Sequence, residues 1–260
     1  MNSFSVLFQK EWRENVRNYK ILWIPLVFIL FGIMEPVSTY YLPQILNSVG
    51  NLPEGMVFEL PTLTPEQILM STVGEYQFIG LLVVTLAFVG IISRERKNGT
   101  ATLLYVRPIS YKSYIASKTL IMMIIVIGSF LSGISVSLYY TTILFGGVVA
   151  TEFLGFIGTY SVWLLFVISI VIFSSATFST GIATMFSLLV ILLGQLVDAL
   201  LGTYWTITPW KLPNYAGYLL TGSVDESPYI WTLVITSILT LLFLLGAVYF
   251  ARKNSYKAKI

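Results

Sequence analysis

Two side chains that often carry enzyme chemistry, His and Cys, are missing from this sequence. It has no His and no Cys among 260 residues, which excludes a His general base, a thiol nucleophile and the usual zinc ligands. It also lacks a phosphate-binding loop of the form Gly-x-x-x-x-Gly-Lys-Ser/Thr. Two acids within apolar stretches, Glu35 and Asp198, are the only candidates for an intramembrane acid pair. No recognisable nucleophile accompanies them, so we expect a non-catalytic chain with no metal or cofactor of its own.

The composition indicates a membrane protein. Apolar residues make up 56% of the chain and charged residues 10%, whereas soluble domains carry about 25% charge. The net charge of +3 could suggest nucleic acid, but the cations stand beside apolar runs rather than on a polar face. We therefore expect a lipid membrane, and not nucleic acid, as the surroundings of this chain.

Six apolar stretches are long enough to cross a bilayer, which takes roughly 20 helical residues. Residues 153–197 run without a charge for too long to be one helix, so we divide them at the Ser- and Thr-rich turn 174–180. We predict an all-α membrane protein with one transmembrane domain, residues 1–260, and spans near 21–41, 76–92, 119–145, 153–173, 181–201 and 229–251. Small residues at four-residue spacing in the third span, Gly128 with Ser132 and Ser129 with Gly133 and Ser137, predict close helix packing.

The positions of Lys and Arg predict the orientation. All of them except Lys211 lie in the leader, in the loop between spans two and three, or in the tail. Because such residues are enriched on the cytoplasmic side, we expect a multi-pass protein of the cell membrane with both termini in the cytoplasm. No signal-peptide cleavage pattern follows the first apolar stretch, so we expect the N-terminus to be retained.

Two longer segments are then expected outside the cell, residues 42–75 and 202–228. The first is rich in Pro and Glu and is either a functional cap or a poorly ordered segment. The second contains Tyr204, Trp205 and Trp210, which suit the outer interfacial belt as well as they suit contact with a ligand.

Residues 3–19 predict an amphipathic helix in the headgroup layer. It either anchors the first span only or also transmits force. Its apolar and polar sides, in that order, are Phe4, Leu7, Phe8, Trp12, Val16 and Tyr19, against Lys10, Arg13, Glu14 and Arg17.

The loop 93–117 predicts a second short helix. Asn98-Gly99 is typical of a helix end, Thr100 can cap a new helix over 101–106, and Pro108 stops it. The cations of this loop could serve topology alone. The ordered stop, cap and Leu103-Leu104 pair favour a helix that meets a partner.

The loop resembles that of a known family. The pattern Glu95-x-x-x-Gly99-Thr100-x-x-x-Leu104-x-x-x-Pro108-x-Ser110, followed by Lys118, is similar to the loop between spans two and three of ABC type-two permeases. The layout of interfacial helix, six spans and an outside Trp/Pro segment before the last span extends the resemblance over essentially the whole chain.

The resemblance implies the membrane subunit of an ATP-driven exporter, working with a second permease chain and two ATPase subunits that bind ATP and Mg. Its substrate would be an amphipathic peptide, an antibiotic or a lipid-like compound. The short helix of the loop would be a cytoplasmic coupling helix, supported by the interfacial helix. The residues implied for ATPase coupling are Glu95, Gly99, Thr100, Leu103, Leu104 and Pro108, with Lys10, Trp12 and Arg13 in the supporting helix.

Glu35 and Asp198 fall toward the outer leaflet, at a rise of about 1.5 Å per residue. They either reach the outer interface or, as the resemblance implies for spans one and five, line the exit of a translocation path together with Gln195. Two alternatives need no ATP: a secondary transporter, against which the lack of similarity between the two halves argues, and an immunity protein that binds an antimicrobial peptide at the outside loops.

Overall fold

The computed structural model describes residues 3–49, 63–99 and 110–257, and every regular element within them is helical. Six stretches, of 22 to 34 residues, are long and apolar enough to cross a membrane. A helix satisfies its own backbone hydrogen bonds, which lipid cannot do. The prediction of an all-α membrane protein with six spans is confirmed. Spans one to six are Lys20–Leu46, Pro65–Lys97, Tyr111–Leu144, Ala150–Thr177, Thr180–Leu201 and Glu226–Asn254.

The helices that make up these spans and their connections are, in chain order, α1 Ser3–Arg17, α2 Lys20–Val49, α3 Pro65–Glu75, α4 Leu81–Phe88, α5 Gly90–Lys97, α6 Tyr111–Leu144, α7 Ala150–Thr177, α8 Thr180–Leu201, α9 Leu212–Leu220 and α10 Glu226–Lys257. A π-helical turn, Tyr76–Gly80, joins α3 to α4, and a 3₁₀ turn, Pro209–Lys211, precedes α9.

The helices on either side of the first expected outside segment are longer than the apolar runs predict. Helix α2 continues through Pro43 to Val49, and span two begins at Pro65. At that start Thr64 and Gln67 form a capping box, with Gln67 Oε1 accepting from the Thr64 N–H at 3.0 Å and Pro65 in the first turn, where it suits a helix. Residues 50–62 of the expected segment lie outside the described part of the chain.

The second expected outside segment packs against the bundle. Helix α9 buries one face against span four. Trp210 lies against a notch at Gly194, where an added Cβ would stand 2.0 Å from Cε2 of the indole ring. The indole Nε1 of Trp210 donates to the carbonyl of Ile191 at 3.2 Å. Trp210 therefore packs between spans four and five.

The core lies along span four. In the most apolar 18-residue stretch of each span, 67% of the residues are buried in span four and 11% in span six. Spans one and five are likewise mostly uncovered and present large apolar side chains. On span five these recur every three or four residues, at Ile182, Met185, Leu189, Leu193, Leu196 and Leu200. Such faces suit lipid or a second apolar helix.

Spans one and three approach closely at two glycines. A Cβ on Gly32 would stand 2.3 Å from the carbonyl oxygen of Gly133. A Cβ on Gly133 would stand 2.5 Å from the hydroxyl of Tyr76 and 2.7 Å from the Phe28 carbonyl oxygen. That hydroxyl donates a hydrogen bond to that carbonyl at 2.9 Å. The close packing predicted for Gly133 is present in the structure.

This contact gives a stability prediction. Gly133→Ala should lower the free energy of unfolding by about 1–3 kcal/mol, because backbone and a bonded hydroxyl must move. The matched control is Gly128→Ala on the same helix, where nothing lies within 4 Å of the new Cβ; it should be neutral or stabilise by up to about 1 kcal/mol. Thermal unfolding in detergent micelles measures both, and equal melting temperatures would contradict the packing described.

Candidate coupling site at the N-terminal face

Helix α1 turns polar side chains toward the bundle. Leu7, Glu11 and Asn15, spaced by four residues, are all buried, and α1 packs mainly on the first part of span three. Glu11 is 2% exposed, and the Asn15 amide donates to the Glu11 backbone carbonyl at 2.8 Å. A buried carboxylate needs a compensating charge, so the contacts of Glu11 show what holds α1 in place.

Lys118 of span three provides that charge. Its Nζ lies 2.7 Å from Glu11 Oε1 and 3.0 Å from Glu95 Oε2, and the residue is 1% exposed. The Tyr114 hydroxyl donates to the same Glu95 oxygen at 2.6 Å. One buried ammonium thus joins three elements: α1, the end of span two and the start of span three.

Lys10 completes the group of charges. Its ammonium pairs with Glu95 and lies 3.2 Å from Glu11 Oε1. Burial lowers the pKa of Lys10, but the negative charges of Glu11 and Glu95 outweigh that effect and leave this pKa above its usual value. Lys10, Glu11, Glu95 and Lys118, two cations and two anions, are called the charge cluster below.

The carboxylates of Glu11, Glu14 and Glu95 lie within 4.8 Å of one another, which is close enough to hold a metal ion. The ammonium groups of Lys10 and Lys118 already supply the positive charge there. The arrangement is that of a salt-bridge network.

Hydrogen bonds of Arg96, the residue after Glu95, connect the end of span two to the junction of spans four and five. Arg96 Nη1 donates to the Ala176 carbonyl at 2.8 Å, and Nη2 donates to the carbonyl of Phe178. Asn254 of span six donates to the same Ala176 carbonyl at 2.9 Å. Neighbouring residues Glu95 and Arg96 therefore connect span two to different parts of the fold.

A hydroxyl from the last turn of span four reinforces this connection. Ser175 Oγ accepts from the backbone N–H groups of Ile92 at 3.0 Å and Ser93 at 3.1 Å, just after the helical ladder of span two is interrupted at Val89. The Ser93 hydroxyl contacts that of Thr180 at 2.8 Å. The face formed by α1, residues 90–99, the 174–180 turn and the end of span six is called the N-terminal face below.

The predicted coupling residues are divided between described and undescribed parts of the chain. Helix α5 ends at Lys97 and Gly99 has a φ of 72°, the left-handed conformation expected after a helix. Trp12 and Arg13 lie on the exposed side of α1, away from the charge cluster. The remaining predicted residues, Thr100, Leu103, Leu104 and Pro108, lie outside the described residues.

The predicted translocation residues are not brought together as a pair of acids. Asp198 Oδ1 lies 3.7 Å from Lys211 Nζ, and Oδ2 accepts from Asn214 at 3.2 Å. Gln195 donates to the Gln77 carbonyl at 3.4 Å, which joins span five to the π-helical turn of span two. Among the described residues, no hydrogen bond joins Glu35 to Asp198.

Sequence reasoning did not identify Glu11, Asn15, Tyr114 or Arg96 as part of this site. The signal for the first two was a polar pair in register with Leu7, which the assignment of the apolar and polar sides of this helix left out. Arg96 and Tyr114 carried no signal, because their partners are remote in sequence or visible only in three dimensions.

Removing the central cation should destabilise the fold strongly. Lys118→Met removes the buried one of the two ammonium groups that Glu11 and Glu95 share and leaves only the partly exposed Lys10 to compensate both carboxylates. We expect a loss of about 3–5 kcal/mol in the free energy of unfolding. Lys112→Met on the same helix, where the lysine is exposed, should change it by less than about 0.5 kcal/mol. Denaturant unfolding in detergent measures both. Adding Glu11→Gln to Lys118→Met should restore part of the lost stability, because it removes one uncompensated carboxylate. Equal stability of Lys118→Met and Lys112→Met would contradict the role of Lys118 in the charge cluster.

Comparison with known proteins agrees with this architecture. The chain is 32% identical over 184 residues to a protein of Bacillus subtilis (strain 168) described as uncharacterized transmembrane protein YxlG, covering 70% of this chain and 71% of that one. The family model described as ABC-2 family transporter protein matches residues 5–255. The match takes in α1, all six spans and the charge cluster between them, and this multi-pass membrane protein belongs to the ABC-2 transporter family, as a permease component of an ABC transporter.

Proposed function

We propose that this chain is the membrane subunit of an ATP-driven exporter and that α1 and the loop after Gly99 together form its contact with an ATPase subunit. The observation that carries the proposal is the charge cluster. It joins α1 to Glu95, four residues before the helix-ending Gly99, through Lys118. The two segments expected to meet the ATPase are thus connected by buried ion pairs.

The proposed mechanism follows from these connections. A displacement of the loop would move Glu95 and Arg96, which lie in the last turn of α5. Through its ion pairs, Glu95 would then move α1 and span three. Through its hydrogen bonds, Arg96 would move the junction of spans four and five. Closure of the ATPase pair would in this way rearrange both sides of the bundle at once and open the path on the other side of the membrane.

The ATPase partners supply ATP and Mg binding in this proposal, because the sequence has no phosphate-binding loop of the P-loop type. The N-terminal face lies in the cytoplasm, since it carries the Lys- and Arg-rich segments. In that orientation the cell membrane holds both termini inside.

A second permease chain, identical or related, completes the transporter. The uncovered apolar faces of spans one and five are the surfaces available for it. Glu35, Gln195 and Asp198 would line the path that the two chains form. Because these spans present mainly large apolar side chains with few charges, we propose an amphipathic peptide, an antibiotic or a lipid-like compound as the substrate.

The proposal predicts loss of the ATPase when the loop's apolar pair is made acidic. Leu103→Asp/Leu104→Asp should reduce the ATPase that copurifies from native membranes by at least about tenfold, which corresponds to 1.4 kcal/mol of binding free energy. Leu103→Met/Leu104→Met, which keeps the apolar character, is the control and should retain it. Quantitative mass spectrometry of the affinity-purified complex, with its ATP hydrolysis rate, gives the readout.

Two results would contradict the proposal. One is recovery of the unaltered chain with no nucleotide-hydrolysing partner, and the other is equal recovery of the ATPase with both loop variants. The first would favour transport driven by an ion gradient, or peptide immunity without ATP.

A further inference from the structure

A polar cavity of about 470 Å³ lies between α1, the start of span one and the end of span two. Part of its lining belongs to the charge cluster, in which two cations and two anions compensate each other. The remaining polar lining residues are two cations, one carboxylate and three amides: Lys20, Arg94, Glu14, Asn15, Asn18 and Asn98.

The ammonium group of Lys20 lines this cavity and donates one hydrogen bond to a described residue. Its Nζ donates to the Ala87 carbonyl at 2.7 Å and lies 4.7 Å from the centroid of the Phe88 ring. An ammonium group has three donors, and among the described residues no carboxylate comes within 4.0 Å of this one. The charge is therefore held in a fixed position without an ion pair.

Arg94 of span two contributes a second cation to the lining. Its side chain lies over Gly90, where an added Cβ would stand 2.4 Å from Nε, so the missing side chain of Gly90 makes room for it. Within the described part of the chain, the Arg94 guanidinium has no hydrogen bond and no ion pair. Two cations that form no ion pair with the described carboxylates thus line one cavity, with the Asn18 and Asn98 amides beside them.

The position of the cavity indicates what these cations bind. Lys20 is the first residue of span one and Arg94 lies in the last turn of span two, so both belong to the headgroup layer of one leaflet. Arg and Lys together suit a phosphate group, through a guanidinium fork and a point charge. We propose that the cavity binds the phosphate of a phospholipid headgroup, which would hold α1 against span two by a contact separate from the charge cluster.

The test uses the purified chain in detergent without any ATPase, so its outcome does not depend on the proposed function. Native mass spectrometry follows the binding of short-chain phosphatidylglycerol, with inorganic phosphate as a competitor. Lys20→Gln and Arg94→Gln should each weaken lipid binding by about fivefold, the contribution of one basic residue at an anionic membrane surface. Lys97→Gln, an exposed cation on the same face outside the cavity lining, should bind as the unaltered chain does.

Arg94→Gln is the decisive variant, because Arg94 makes no polar contact with any residue in 3–49, 63–99 or 110–257 whose loss could unfold the protein. Its melting temperature is measured alongside. Loss of lipid from Arg94→Gln but not from Lys97→Gln supports the proposal. Equal lipid binding by Lys20→Gln, Arg94→Gln and the unaltered chain would overturn it. Displacement of the lipid by inorganic phosphate at equal concentration would also overturn it, by identifying a free-anion site.

Discussion

The arrangement of the N-terminal face depends on the burial of one ammonium group. Lys118 is 1% exposed and lies between Glu11 and Glu95, which come from two other helices. Removing a charge from water costs several kcal/mol, and only close opposite charges offset that cost. Once span three places Lys118 inside the protein, α1 and the end of span two must bring their carboxylates to it. The position of α1 is therefore fixed by electrostatics as well as by apolar contact.

Span two is the element on which these contacts converge, and it is also the most irregular span. It contains the π-helical turn Tyr76–Gly80 and a boundary between α4 and α5 at Val89, and π-helical turns often mark functional sites in helices. Polar groups from other helices contact the chain near both: Tyr76 bonds to span one, and Ser175 bonds to residues 92 and 93. The interruptions are thus held by tertiary contacts, which makes span two the part through which motion of the loop can reach the other spans.

Much of the fold could be predicted from the sequence, because the bilayer sets the length of an apolar helix. The amphipathic leader, the helix end before Gly99 and the small-residue contact at Gly133 also followed from local patterns. The start of span two at Pro65 was missed although Thr64 and Gln67 carry a capping signal, since the apolar run alone was used to place the boundary. The packing of Trp210 against Gly194 could not be predicted, because it depends on a notch 16 residues away on another helix.

The candidate site was only partly predictable for the same reason. Glu95, Lys10 and Lys118 were identified through a family resemblance, but the ion pairs of both lysines with Glu95 and with the inward-facing Glu11 emerge only when three helices are assembled. A local pattern shows which residues lie on the same face of a helix. It does not show which charged residues of different helices will come into contact.

The most direct test of the account is a distance measured within the working transporter. The chain has no cysteine, so Arg17→Cys on α1 and Lys112→Cys on span three can carry spin labels without a background. If the charge cluster makes α1 and span three one rigid unit, the mean distance between the labels is unchanged when ATP is added to the complex with its ATPase. The distribution of that distance becomes broader when Lys118→Met is introduced. A shift of that distance with ATP in the otherwise unaltered chain would show that α1 moves independently and would contradict the account.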